Sequence, residues 1–305
     1  MKQSIIIFFA LLIVSLPDKS LLDNRPITPK RIMTLRYGKE RVERFLDPQL
    51  FEKNYILAYY GHPKSRIMGI IGRESKERLG VLLREKAAVY KSLSGGKGVI
   101  PALYIIYGTC QPKGNINIIS RDLLREYLDF AIENDFLVYL DHQIGKYSLK
   151  EAIGTLLPYL RYPNVHLAFD VEWRTKKPMK VIGHITGNEL NDIQEVMKKY
   201  MTKNNIPGKR QLVFHQFNHR MLRNASAVKN DYDPVLLVHT TSGWGRPAWK
   251  KATHERNSKV KTIPYKGFKL WLFYSKRKGV HYDKPLMTPL EVLALSPQPG
   301  LIIYQ

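Results

Sequence analysis

The chain predicts a single α/β domain, a (β/α)8 TIM-type barrel ending on its eighth strand. Eight apolar, β-rich runs recur along it, at Ile56–His62, Ile100–Cys110, Phe136–Gln143, Val165–Trp173, Gln211–Asn218, Pro234–Thr240, Phe268–Tyr274 and Leu301–Gln305. Amphipathic stretches separate them, which is the alternation that gives parallel strands covered by helices. The first turn, Gly61-His62-Pro63, lacks the glycine-rich fingerprint that a doubly wound, dinucleotide-binding sheet would place there.

Helix starts carry recognisable chemistry. Ser148-Leu-Lys-Glu151, Thr186-Gly-Asn-Glu189 and Thr288-Pro-Leu-Glu291 are each an S/T-x-x-E capping box, in which side chain and backbone satisfy each other's free groups; Pro289 adds a preset first helical position. Glu74–Leu93, closed by Gly95-Gly96, and Ser120–Asn134 show helical apolar spacing. Weaker signals at Arg220–Lys229 and Ala248–Asn257 complete seven helices between eight strands. Arg41–Asn54 reads as a short helix, and Arg41–Lys53 is expected either to fill the place of an eighth outer helix or to plug the bottom of the barrel.

With 305 residues and 44% hydrophobic content, the chain can build a full core. Lys and Arg total 49 against 26 Asp and Glu, a formal charge of +23, which favours an anionic partner such as an acidic or wall-associated polysaccharide or a lipid surface. Nucleic acid is disfavoured, because no recognised module accompanies the charge. The lone Cys110 excludes an intramolecular disulfide and a thiolate zinc cluster.

At the N-terminus, Lys2 precedes an apolar run from Ile5 to Leu16, shorter than the roughly 20 residues that span a bilayer. Residues 1–17 therefore read as a signal peptide or N-terminal anchor, 18–40 as a linker with Pro26 and Pro29, and 41–305 as the barrel. The expected location is outside the cytoplasm: periplasmic, cell-surface or secreted. Membrane association, peripheral or through the N-terminal segment, stays open, as does oligomeric state.

In such barrels the functional face is the C-terminal end of the strands. Nearly every strand ends polar: His62; Tyr107; Asp141, His142 and Gln143; Asp170, Glu172 and Trp173; His215, Gln216 and Asn218; His239; Tyr274; and Tyr304 with Gln305. Asp170 and Glu172 stand two residues apart, a spacing that puts both carboxylates on one strand face. Trp173 and Trp244 follow in lysine-rich loops, and an aromatic face beside a carboxylate pair suits a sugar ring.

Asp170-Val-Glu172 at the end of a fourth barrel strand resembles the catalytic strand of the family 25 lysozymes and, more distantly, the family 18 chitinases. The resemblance implies Glu172 as general acid, with Asp170 holding an N-acetyl group that acts as nucleophile. Val165 and Ala168 depart from the longer chitinase pattern. Tyr59-Tyr-Gly-His-Pro63, Phe169-Asp-Val-Glu-Trp-Arg174, Phe214-His-Gln-Phe217, Met287–Leu295 and Ile303-Tyr-Gln305 resemble an exported bacterial family, often lipoprotein-like, without an established activity. This chain has no cysteine for such an anchor.

The expectation is a glycoside hydrolase-like barrel acting on a cell-envelope or extracellular polysaccharide. Glu172, Asp170 and Asp141 would be catalytic, Asp141 raising the pKa of Glu172 by like-charge repulsion. His62, Tyr107, Gln143, Trp173, His215, Gln216, His239, Trp244, Tyr274 and Gln305 would bind substrate, with no cofactor or metal required. Two alternatives stay open: a non-catalytic carbohydrate-binding barrel, and a metal-dependent hydrolase using His62, His215 and His239.

Overall fold

A computed structural model describes residues 28–276 and 280–305. The expected export segment at 1–17, the first part of the expected linker, and residues 277–279 lie outside these. Eight parallel strands close into a barrel: β1 (Asn54–Gly61), β2 (Gly98–Cys110), β3 (Leu137–Gln143), β4 (Val165–Asp170), β5 (Arg210–Gln216), β6 (Val235–Thr241), β7 (Tyr265–Leu270) and β8 (Leu301–Tyr304). Closure is explicit in the register, since Ile56 pairs with both Ile100 of β2 and Leu301 of β8. Backbone groups along every barrel strand are thus paired on both sides, which leaves no sheet edge.

The covering helices are α1 (Pro29–Tyr37), α2 (Lys39–Phe45), α3 (Lys76–Ser92), α4 (Arg121–Glu133), α5 (Leu149–Gly154), α6 (Gly187–Lys203), α7 (Pro247–Ser258) and α8 (Pro289–Leu293). All three expected capping boxes form: Ser148, Thr186 and Thr288 accept from the amides of Glu151, Glu189 and Glu291, whose carboxylates return the bond. The apolar stripe of α4, Leu124, Leu128, Ala131 and Ile132, is buried against the barrel. Burying each of the two leucines and the isoleucine stabilises by about 1.5–3 kcal/mol.

Four expectations need correction. The stretch to residue 40 is not all linker, because α1 begins on Thr28, whose hydroxyl caps the Arg31 amide, and buries Met33 and Tyr37. Tyr37 and Arg36 both bond Asp129 of α4, so this segment belongs to the folded body. Arg220–Lys229 forms no α-helix; 3-10 turns at His219–Met221 and Ala225–Ala227 flank Leu222-Arg223, which pairs with Ile185-Thr186. The β5–β6 link therefore carries turns where the fifth helix was expected. Finally, β4 stops at Asp170 and β7 at Leu270, short of Trp173 and Tyr274.

Of the two placements expected for Arg41–Lys53, the structure has the plug. Phe51, on the helical turn Leu50–Lys53, packs edge-on against His166 inside the barrel at 5.2 Å between ring centres. A column of rings rises from it. His166 meets Tyr139 at 5.1 Å, Tyr139 stacks on Tyr104 at 5.1 Å, and Tyr104 meets Tyr60 at 5.3 Å. The Tyr139 hydroxyl donates to Gln211 and the Tyr104 hydroxyl bonds His215 Nε2 at 2.7 Å, so these two tyrosine tips are satisfied, while His166 Nε2 is buried without a partner among the described residues.

Candidate active site

The column ends under a cavity of about 890 Å³ at the C-terminal mouth. Asp170, Glu172, Lys269, Gln143, Tyr274 and Gln305 line it, and all four tryptophans, Trp173, Trp244, Trp249 and Trp271, form its walls. Asp170 is the last residue of β4, and Glu172 follows in the 3-10 turn Val171–Trp173. Strand alternation alone does not bring these two together. The turn carries the chain over the mouth, and the amide of Gly183 fixes it by donating to the Glu172 carbonyl at 2.8 Å.

Asp170 and Asp141 are buried, and Glu172 is part-buried at the cavity wall. Burial, reinforced by the charge of Asp170, pushes Glu172 up to about 8, while Lys269 and a bond to Trp173 oppose the rise. Asp170 is raised only to about 6: burial lifts it, and Lys269 with the hydrogen bonds from Glu172 and Trp173 pulls it back. At neutral pH the pair therefore divides into an ionised Asp170 and a protonated Glu172. Asp141 is raised to about 7 by burial and by Asp170. It sits below the cavity, accepting from the Tyr60 hydroxyl at 2.9 Å. Its own charge is the smallest of the influences that raise Glu172, so the larger like-charge effect comes from Asp170 and not, as expected, from Asp141.

Lys269 is the residue the sequence reading missed. It is buried in β7, with Nζ 3.5 Å from the centre of the Tyr60 ring and 4.9 Å from that of Trp271. Burial lowers its pKa and the charges of Asp170, Asp141 and Glu172 raise it. The signal was present: in Phe268-Lys-Leu-Trp-Leu-Phe-Tyr274, a lysine interrupts an apolar run two residues before Trp271, the spacing of one strand face. Tyr60, Phe217 and Ser242 also line the cavity and were overlooked.

Among the expected binding residues, Gln143, Trp173, Trp244, Tyr274 and Gln305 line the cavity. The Tyr274 hydroxyl and Gln305 Oε1 are buried without a hydrogen-bond partner among the described residues, leaving them ready to meet a ligand's polar groups. Five others do not line it. Successive strand residues point to opposite sides, so only alternate ones can reach the interior. Tyr107 points outward to the Thr155 carbonyl and the Tyr159 ring; Gln216 and His239 bond each other at 2.7 Å, in contact with α7 through Asn257. His215 points inward but lies below the cavity, bonded to Tyr104 and 3.9 Å from Asp141; burial holds its pKa well below normal, so it is neutral there. His62 stays in the loop after β1, accepting from the Lys64 amide.

The metal-dependent reading loses its basis here. Among the described residues, no three His, Cys, Asp or Glu side chains form a group that could hold a metal ion. His62, His215 and His239 have the separate engagements given above.

The rim is held by a buried ion pair. Lys250 of α7 meets Asp283 Oδ2 at 2.7 Å and donates to the carbonyls of Gly243 and Lys269, while Asp283 accepts from the amides of Gly245 and Trp271. Trp244 stacks on His281 at 4.3 Å, so the loops after β6 and β7 form one wall.

No family model matches the chain, and no curated protein does. Among solved structures, one match is a crystal structure of a hyperthermophilic endo-β-1,4-glucanase in complex with substrate. Identity is 12% and the TM-score 0.38, over 76% of this chain and 81% of that one. Similarity at that level says nothing about chemistry, which has to be argued from the cavity.

Proposed function

We propose that the protein is a glycoside hydrolase acting on a polysaccharide outside the cytoplasm. The observation that carries this reading is the carboxyl pair Asp170 and Glu172 in one cavity walled by four tryptophans, with burial raising the pKa of Glu172 further than that of Asp170. An acid that keeps its proton at neutral pH can protonate a glycosidic oxygen as the bond breaks. An ionised neighbour can stabilise the positive charge that develops on the sugar or, as in the lysozymes the Asp170-Val-Glu172 motif resembles, orient an acetamido group for attack. Lys269 lowers the pKa of Asp170, and Tyr60, which bonds Asp141 beneath the cavity, forms part of the floor. The tryptophan walls offer stacking faces for sugar rings, with Gln143, Tyr274 and Gln305 placed for hydroxyl groups.

The test is Glu172→Gln, assayed on bacterial wall and extracellular matrix glycans. The amide keeps the shape but has no proton to give, so turnover should fall by about 10²–10⁴ while glycan binding persists. Unchanged turnover would move the acid elsewhere. If the parent protein binds glycan and never cleaves it, the cavity belongs to a binding barrel.

A further inference from the structure

The cavity mouth is ringed by apolar side chains that the fold leaves in solvent. Met179 is 78% exposed and Trp249 63%, and Ile67, Val181, Ile182 and Trp244 are exposed as well. They come from the chain after β1, β4 and β6, and all border the same opening. Stacking on sugars would account for the tryptophans. It does not account for exposed Ile67, Met179, Val181 and Ile182, whose aliphatic surfaces have nothing to gain from a hydrated glycan.

Charge sorts with them. Lys64, Arg66, Lys176, Lys177, Lys180 and Arg246, all exposed, occupy the same loops. The acidic residues of those loops are Glu74, at the foot of α3, and Glu172, which faces the cavity. At the opposite end of the barrel, by contrast, Asp129 and Asp135 offset Arg36, Arg41 and Arg44. Aliphatic and tryptophan side chains inside a cationic ring match the interface of an anionic bilayer, where apolar groups enter the headgroup layer and lysines meet lipid phosphates. None of the described helices is long and apolar enough to cross a membrane, so contact through this face is peripheral.

We propose that the C-terminal face of the barrel docks on an anionic lipid surface, with Met179, Ile182 and Trp249 inserted and the cavity opening toward the membrane. This inference does not depend on Glu172 acting as an acid. Tryptophan fluorescence tests it directly, because all four tryptophans lie on this face and none lies in the apolar segment Ile5–Leu16, which is therefore silent.

The full-length protein is mixed with vesicles of phosphatidylcholine alone or with added phosphatidylglycerol, with and without brominated lipid as quencher. The expected result is a blue shift and quenching with the anionic vesicles, absent with phosphatidylcholine and weakened by high salt. Met179→Ser with Ile182→Ser should lower partitioning about tenfold or more, leaving emission in buffer and melting temperature unchanged. Co-sedimentation without a tryptophan response would place binding elsewhere on the chain and overturn the proposal. So would equal partitioning by the double variant, or indifference to vesicles combined with tight binding of a soluble anionic polysaccharide.

Discussion

Burial raises the pKa of Asp170 and Glu172 and Lys269 lowers both, so the cation helps to set the pH at which the pair divides its protons. Activity should rise as pH climbs through about 6, where Asp170 loses its proton, and fall as pH passes about 8, where Glu172 loses its own. Lys269→Met removes the cation and should move both limbs of this bell to higher pH. A kcat/KM profile that keeps its limbs in the variant would deny Lys269 this role. Fluorescence in buffer and the melting curve report whether the variant still folds. At this scale the sequence was half legible. Asp170, Glu172 and Trp173 announce themselves as polar and aromatic residues ending an apolar strand, whereas Tyr107, Gln216 and His239 share that signature and face the helices. Composition at a strand end does not encode inward or outward; the two-residue period does, and it points to Asp141, Gln143, His215 and Lys269 as inward.

Between the loops after β6 and β7, the Lys250–Asp283 pair joins segments that supply two walls of the cavity. Both side chains are almost wholly buried, and breaking such a pair by removing one partner typically costs about 3–5 kcal/mol, because the survivor keeps its charge without compensation. Lys250→Met should lower stability by roughly that amount in denaturant titration. It should also speed hydrogen exchange at the Gly245 and Trp271 amides, which donate to Asp283. Slow exchange at both amides in the variant would show that the wall stands without the clamp. The capping boxes were readable because a short pattern closes its own hydrogen bonds. The β5–β6 link was not, because its polar sequence satisfies a helix window while its backbone bonds go to Asn191 and Gln194 of α6, through the carbonyls of Ala227 and Lys229.

For the molecule as a whole, eight β-rich runs were enough to foresee a closed parallel barrel, since period and spacing determine which elements can form. They could not show where the chain ahead of β1 packs, because Pro26 and Pro29 look like linker and Pro29 in fact occupies the first turn of α1. A chain beginning at Arg41 should be roughly 2–4 kcal/mol less stable than one beginning at Thr28, having lost the buried side chains of Met33 and Tyr37 and the bonds to Asp129. Equal melting temperatures would return residues 28–40 to the status of a linker. The ring column has a wider consequence. Phe51, His166, Tyr139, Tyr104 and Tyr60 are packed in series, and the last of them holds Asp141. An altered plug would reach the carboxyl groups through close-packed rings, of which only Tyr60 borders the cavity. Variation confined to the rim would explore what the protein binds, while its working pH would be inherited from the far end of the barrel.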